Sequence, residues 1–394
     1  MEINNTQNQI EEMKVLLNPW HESLAHPKEA QESVLEQLLK SYNKTEYGKE
    51  HNSENVGSYA DFKSAFPVKT YEEFKPLIAE VLKGNTHALF SEEPVVVALT
   101  KGTSGESKEF PYTQSHIELV RKILKLSPAS YSVFKNDISW MLGYQLNIVP
   151  TPSLRTIKVG NKELACGYSL AVAVLLMADD KSSFLEMIPS RDEIGLLPKE
   201  SNKTNWEKRY ELAYQRAHDK NVTMFGTMPT IAFGFSDYLK ENHNLYPKDI
   251  WQIKYFPISG YVGVNTFLAP KLHFHYGKSI DIWESYGSSE APIGLQMDGK
   301  KAWSPFYDQL LLEVQTINGI KQLHEMYPGE IGSLIISTTE YPRYRIGDLI
   351  LAFEPPYFRC IGREYTKLHP YSFGELKGKS ALILDESKNL PSWR

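Results

Sequence analysis

The sequence predicts an α/β fold: mostly parallel sheets covered by helices, with a small β-rich subdomain near the C-terminus. Three observations carry this prediction. The middle of the chain alternates β-branched runs with amphipathic helical stretches. One of those runs, Pro94-Val-Val-Val-Ala-Leu99, empties into a glycine/serine/threonine loop. From about residue 302 the texture changes to short strands punctuated by Tyr327-Pro-Gly and Glu354-Pro-Pro.

Bulk properties narrow the class. At 394 residues the chain is too long for one small core and suits one large domain or several lobes. A net charge of −5 and an isoelectric point near 6.2 argue against a nucleic-acid binder, which needs a basic footprint. Cys166 and Cys360 lie far apart and form no C-x-x-C pair. A zinc site or disulfide framework is therefore not expected, and a reducing, cytoplasmic compartment is. The opening residues are polar and acidic, without the basic start and apolar stretch of a signal peptide. The longest apolar stretch, Leu170 to Met177, falls far short of the ~20 residues a membrane helix needs, so no membrane partner is expected and the stretch reads as a buried strand or helix.

Residues 1–90 read as a helical lead-in that forms part of the large domain. Asn18-Pro19 breaks an opening helix, and Lys28 to Tyr42 carries Ala30, Val34, Leu38 and Leu39 at helical spacing. Thr70-Tyr-Glu-Glu73 is a capping box ahead of a helix over Phe74 to Leu82. Residues 91–301 form the α/β core. Its strands are expected at Val95–Leu99, Val222–Phe225, Tyr255–Ile258 and Ile280–Trp283, and its helices at His116–Leu126, Trp206–His218 and Ile231–Lys240. Ser115 is a candidate N-cap for the first helix, whose apolar face carries Ile117, Val120 and Leu124. His273 and His275 alternate on what reads as a strand; ordinary half-exposed histidines explain them better than a metal pair. Residues 302–363 form the β-rich subdomain, with strands at Gln309–Val314, Ser333–Ser337, Asp348–Phe353 and Phe358–Ile361, and residues 364–394 form a short remnant beyond it.

The loop Thr100-Lys-Gly-Thr-Ser-Gly-Glu-Ser-Lys108 has the chemistry of a phosphate cradle. Glycines let backbone N–H groups crowd an anion, hydroxyls add donors, and Lys108 adds positive charge. It lacks the Gly-x-x-x-x-Gly-Lys-Ser/Thr spacing of the standard nucleoside-triphosphatase loop, and a solvated turn is the bland alternative. Further along, Glu284-Ser-Tyr-Gly-Ser-Ser-Glu290 closes a strand. There Tyr286, Gly287, Ser288 and Ser289 suit a flat purine, and Glu290 suits Mg²⁺ between phosphates. In Tyr341-Pro-Arg-Tyr-Arg-Ile-Gly-Asp348, Asp348 suits a pair of ribose hydroxyls and an arginine suits phosphate. Ile361-Gly-Arg363 follows. Singly these have dull readings: a carboxylate at a helix N-terminus for Glu290, a turn for Asp348, solvated strand charges for Arg343 and Arg345.

In order and spacing these segments resemble the adenylate-forming superfamily (acyl-CoA synthetases, nonribosomal adenylation domains, luciferases). Within it the chain most resembles the auxin- and jasmonate-type acyl-acid amido synthetases and their bacterial relatives. The stretch from Phe62 to Pro76, Leu82-Lys-Gly-Asn, Gly226-Thr-Met-Pro229, Ile258-Ser-Gly-Tyr261 and Ser372-Phe-Gly-Glu375 extend the likeness over residues 55–378. It implies the large N-terminal domain of an adenylate-forming enzyme, acting on ATP and Mg²⁺. A carboxylic acid would attack the α-phosphate, pyrophosphate would leave, and an amine would take the acyl group from the adenylate. By position Thr103, Ser104, Gly105 and Lys108 would hold the outer phosphates, Tyr286 would line the adenine site, Glu290 would bind Mg²⁺, Asp348 would bind ribose, and Arg363 would sit near the ribose at the hinge. Lys108, Glu290 and Arg345 are the expected catalytic residues.

The chain also departs from that pattern. Lys101 replaces the usual second serine of the phosphate loop, and Glu106 stands beside the expected anion. Family members continue past the Gly-Arg hinge into a mobile cap, whereas only residues 364–394 follow here, and Lys377, Lys379 and Lys388 are the candidates by proximity for the cap's lysine. The sequence leaves several outcomes open: adenylation without a cap, a cap supplied by a partner protein, or a non-catalytic nucleotide- or acyl-binding protein. The acyl-protein synthetases of bacterial luminescence are similar in length and self-acylate on a cysteine, which would here be Cys360. Aromatics and aliphatics between Tyr131 and Met187 (Trp140, Tyr144, Tyr168, Leu175, Leu176, Phe184) suit an apolar acid or, equally, a core.

Overall fold

The computed structural model describes residues 2–101, 107–151, 153–178, 185–260 and 262–364, in three sheets with helices packed around them. The alternating middle of the chain builds a seven-stranded sheet. Its strands Met187–Ile188, Tyr144–Leu146, Val222–Met224, Tyr255–Ile258 and Asp281–Gly287 run parallel in that spatial order. Pro292–Leu295 and Ser304–Pro305 add an antiparallel edge. Helices Lys203–Ala217, Pro229–His243 and Ala269–Tyr276 cover one face, burying Tyr210, Phe235, Leu239, Leu272 and Tyr276 against Phe225 and Phe256. The β-rich segment is a five-stranded antiparallel sheet, ordered Gly319–Gln322, Leu311–Thr316, Ile331–Ser337, Tyr344–Ala352, Phe358–Arg363.

Several local expectations change. The helix Glu2–Ala25 passes through Pro19 instead of breaking there. Leu17 and Trp20 are buried on either side of Pro19, and the indole N–H of Trp20 donates to Pro305 O at 2.9 Å, so tertiary anchors outweigh one missing backbone bond. The chain turns instead at His26, with Pro27 opening the helix Pro27–Tyr42. Thr70 and Glu73 form the expected capping box, starting the helix Tyr71–Lys83. Between the loop after Pro94–Lys101 and the expected helix lies a strand not expected from the sequence, Ser107–Thr113, paired antiparallel with Pro94–Lys101 and with Thr100 opposite Lys108. The following helix is Gln114–Lys135; Thr113, not Ser115, caps it by accepting from His116 N at 3.1 Å, while Ser115 is held by Glu92. The stretch Ser169–Ala178 is helical. His273 and His275 lie on a helix, not a strand. His275 is buried against Ser236 (2.5 Å), and burial pushes its pKa down to about 4, as suits a packed neutral imidazole. Among the described residues no three His, Cys, Asp or Glu side chains cluster as a metal site, and no helix is long and apolar enough to cross a membrane.

The helical lead-in and the antiparallel sheet share one apolar core. Val34, Leu38, Phe62, Phe66 and Phe74 pack with Leu312, Leu334, Ile336, Tyr344 and Ile350. Two buried polar groups fix the register between them. The Gln31 amide donates to the carbonyls of Tyr307 (2.9 Å) and Leu310 (2.7 Å) and accepts from Leu312 N (2.8 Å). Arg343, with φ +49°, makes a two-pronged bond to Glu313 at 2.9 and 3.0 Å. It also donates to the carbonyls of Lys63 (3.0 Å) and Phe66 (2.7 Å), and Tyr59 completes Glu313 at 2.9 Å. The arginine is thus no solvated strand charge: its guanidinium nitrogens all find partners in the dry interior.

Removing one partner of a buried pair strands the other, so Arg343→Ala or Glu313→Ala is expected to cost about 3–5 kcal/mol in urea unfolding. Replacing both with apolar residues of similar volume is expected to cost much less, and equal losses in single and double variants would refute the pairing argument.

Candidate active site

Two cavities meet at the end of strand Asp281–Gly287 and share Gly260 and the wall Ser285–Ser289. The fold brings them together through strand ends: Tyr255–Ile258 delivers Gly260, Asp281–Gly287 delivers Tyr286 to Glu290, and the edge of the antiparallel sheet delivers Asp348 and Arg363. Gly287 is required by close approach. A Cβ there would lie 2.9 Å from Pro292 Cα and 3.0 Å from Ala291 O, across the turn closed by Ser288 N to Ala291 O at 2.9 Å. Gly347 adopts φ +86°, aiming the strand at Asp348 while its carbonyl takes Glu364 N at 2.8 Å.

The smaller cavity, about 290 Å³, is the polar one. Thr100 and Lys108 line it from the hairpin, Glu290 from the central sheet, and Asp348 and Arg363 from the antiparallel sheet. Lys108 also lies over the Tyr71 ring, 4.8 Å from its centroid. Asp348 is held by Arg363 Nε at 2.8 Å and by the Tyr286 hydroxyl at 2.7 Å. Burial raises its pKa above the ordinary aspartate value, and Arg363 and the Tyr286 bond offset only part of that. Tyr286 stacks on Trp303 (4.7 Å between centroids, 12° between planes) with Phe358 edge-on, a rigid aromatic wall. The Ser288 hydroxyl, on a residue lining both cavities, has no partner among the described residues. Glu290 is buried, and the Tyr344 hydroxyl, pushed well above its usual pKa by burial and by Glu290, stays protonated to bond it.

Of the expected site residues, Lys108, Tyr286, Gly287, Ser288, Ser289, Glu290, Asp348 and Arg363 all border this one cavity. Thr103, Ser104 and Gly105 lie outside the described residues, as do Glu106, Tyr261 and the C-terminal candidates Lys377, Lys379 and Lys388. Arg345 does not line either cavity. It stands next to Tyr344 and before the bulge and Gly347 turn that precede Asp348, and it pairs with Glu364 at 2.6 Å. Cys360 borders the cavity but is buried; burial and the nearby Asp348 push its thiol up to about 12.

The larger cavity, about 440 Å³, is apolar, lined by Val120, Ile123, Leu124, Trp140, Met224 and Tyr255 among others. Most of this lining comes from the helix Gln114–Lys135 and the central strands; of the aromatics singled out between Tyr131 and Met187, Trp140 contributes, Tyr144 and Tyr168 do not, and Phe184 lies outside the described residues. Arg121 and His116 enter this wall, and the Arg121 Nε is buried without a partner among the described residues. The signal for Arg121 was in the sequence: it is four residues past Ile117, a charge on the apolar face. Trp303 gave none, being an isolated aromatic in a loop-like segment.

Residues 17–158 match the GH3 family N-terminal domain. The indole-3-acetic acid-amido synthetase GH3.2 of Arabidopsis thaliana is 35% identical over 99 residues, 25% of this chain and 18% of that protein. The probable indole-3-acetic acid-amido synthetase GH3.2 of Oryza sativa subsp. japonica is 34% identical over 90 residues, 22% of this chain and 15% of that protein. Each match thus spans less than a fifth of the curated relative's own length. Among solved structures, AtGH3.15 acyl acid amido synthetase in complex with 2,4-DB superposes with a TM-score of 0.73 at 19% identity, covering 93% of this chain and 74% of the other. A 2-hydroxyisobutyryl-CoA ligase in complex with 2-HIB-AMP and CoA gives 0.53 at 14% identity, covering 84% and 74%. The chain therefore has the adenylate-forming fold, and its N-terminal third is related in sequence to the acyl-acid amido synthetases.

Arg363 lowers the pKa of Asp348 against the pull of burial, so Arg363→Gln is expected to let it rise further. A raised carboxyl favours the folded state only while protonated. The variant's stability deficit should therefore be largest at neutral pH and shrink as pH falls through the carboxylate range; urea midpoints giving a pH-independent deficit would exclude the pairing as its cause.

Proposed function

We propose that this chain activates a carboxylic acid with ATP as an acyl-adenylate and passes the acyl group to an amine. The observation that carries the reading is the meeting of a polar cavity and an apolar one at a single strand end. The polar cavity is bordered by Lys108, Glu290, Asp348 and Arg363; the apolar one holds an arginine. In this reading Asp348 accepts the ribose hydroxyls and Tyr286, backed by Trp303, borders the base. Lys108 and Arg363 offset phosphate charge, with Thr103, Ser104 and Gly105 completing the cradle. The buried Ser288 hydroxyl, without a partner among the described residues, would turn toward a bound nucleotide to find one. Arg121 draws the acid's carboxylate into the apolar cavity, whose lining suits an aryl or aliphatic acid. The relatives' names, which specify indole-3-acetic acid, point to the same class.

Mg²⁺ fits the donor set. One buried carboxylate, Glu290, borders the cavity where triphosphate oxygens and waters would supply the remaining ligands, the usual manner in which magnesium binds nucleotides. Bound there, the ion would neutralise charge on the phosphates. The chemistry otherwise needs positioning: the acid's oxygen attacks the α-phosphorus, the P–O bond to pyrophosphate breaks, and the Lys108 and Arg363 cations favour the charge that develops. Arg345, bound to Glu364, is left a structural role.

Carboxylate-dependent exchange of labelled pyrophosphate into ATP, run with a mixed panel of aryl and aliphatic acids, is expected to be positive. Glu290→Gln should cut it strongly while leaving the unfolding transition near wild type. Absence of exchange with every acid would leave a nucleotide- or acyl-binding protein. Self-acylation on Cys360 is disfavoured by its protonated, buried thiol. Intact mass after incubation with ATP and the panel is expected to show no adduct, and an acyl adduct lost in Cys360→Ser would restore the self-acylating route.

A further inference from the structure

Amines reach an enzyme at neutral pH as ammonium ions and must shed a proton before they can attack an adenylate. The apolar cavity contains one group built to take it. His116, in the first turn of the helix Gln114–Lys135, borders the cavity yet is only 2% exposed. Its Nδ1 faces Glu340 Oε2 at 3.8 Å, and Glu340 is equally buried. Thr113 donates to one oxygen of that carboxylate at 2.6 Å and Thr338 to the other at 3.2 Å. On its other side His116 is stacked by Tyr112 at 3.9 Å and 20°, and the Tyr112 hydroxyl donates to Ser289 O at 2.6 Å. That bond ties the imidazole to the wall shared by the two cavities, where the activated carbonyl would lie.

We propose that His116, oriented and charge-balanced by Glu340, is the general base that deprotonates the acceptor amine in the second half-reaction. The inference rests on the adenylation reading. The ammonium gives one proton to the imidazole. The free amine attacks the acyl carbon, the C–N bond forms, and the bond from carbon to the AMP oxygen breaks with its electron pair leaving on AMP. The amide nitrogen sheds its second proton to water. Burial works against ionising Glu340, while hydrogen bonds from His116, Thr113 and Thr339 pull its pKa below the ordinary glutamate value, and the attraction between the two side chains grows once the imidazole has taken the proton. The other titratable groups around the pair are Tyr112, Tyr341, Tyr42 and Glu290, with Arg121 further along the helix.

The test uses the full chain, the acid from the panel that gives most exchange, and two acceptors: a mixture of amino acids, and hydroxylamine, which is already unprotonated at neutral pH. His116→Gln should slow amide formation with amino acids by about 10²-fold or more, the scale of general-base catalysis. Hydroxamate formation and pyrophosphate exchange should fall far less. Equal losses with both acceptors, or unimpaired amide formation, would overturn the assignment. Should His116→Gln fail to fold, Glu340→Gln decides: the acid limb of amide formation should move to lower pH, because the imidazolium loses its counter-charge, and an unmoved limb would count against the pair. Wild-type exchange without amide from any amino acid removes this inference alone; absence of exchange removes the adenylation reading beneath it.

Discussion

The structure depends on one buried ion pair. Arg343 and Glu313 lock the antiparallel sheet to the helical lead-in, and the arginine spends its remaining donors on the carbonyls that end the helix Tyr59–Ala65. Taking two charges out of water is costly, and only full satisfaction of every donor and acceptor offsets it. That condition is met here by Tyr59, Lys63 and Phe66 together. The residues just beyond are the ones that matter to the site. Lys69 pairs with the backbone of Arg343 and Arg345, Tyr344 reaches Glu290, and the strand then runs to Asp348. A segment 280 residues away in sequence thus sets where the acidic wall of the polar cavity stands.

The site mixes charges of both signs in a small, partly dry volume. Asp348 and Glu290 oppose Lys108 and Arg363, and the closest pairing joins Asp348 to Arg363. Asp348 is squeezed between burial and its partners, so its affinity for a proton is set by what sits next to it. A cation entering near Glu290, or an anion near Lys108, would change the balance for the rest.

Much of this was legible in the sequence because it is local chemistry. The capping box at Thr70, the strand at Tyr255–Ile258 and the order of the loops that end in Glu290, Asp348 and Arg363 each follow from a short run of residues. What was not legible depends on partners far along the chain. Pro19 reads as a break until Trp20 is seen anchored on Pro305. The His-Phe-His alternation at 273–275 matches a strand until the packing of His275 on Ser236 is known. Arg343 and Arg345 look equivalent two residues apart, yet one is sealed in the core and the other is part-exposed and bound by Glu364. Glu340 next to a Tyr-Pro turn gave no hint that Thr113 and His116 wait for it more than two hundred residues earlier.

The wall from Ser285 to Ser289 belongs to both cavities at once, and it is held from one side by Tyr112 and from the other by Asp348. A molecule seated in either chamber therefore presses on the same five residues. By thermodynamic reciprocity, whatever one occupant does to its neighbour's hold, the neighbour does in equal measure to it. The partition is common ground on which the occupants of both rooms rest.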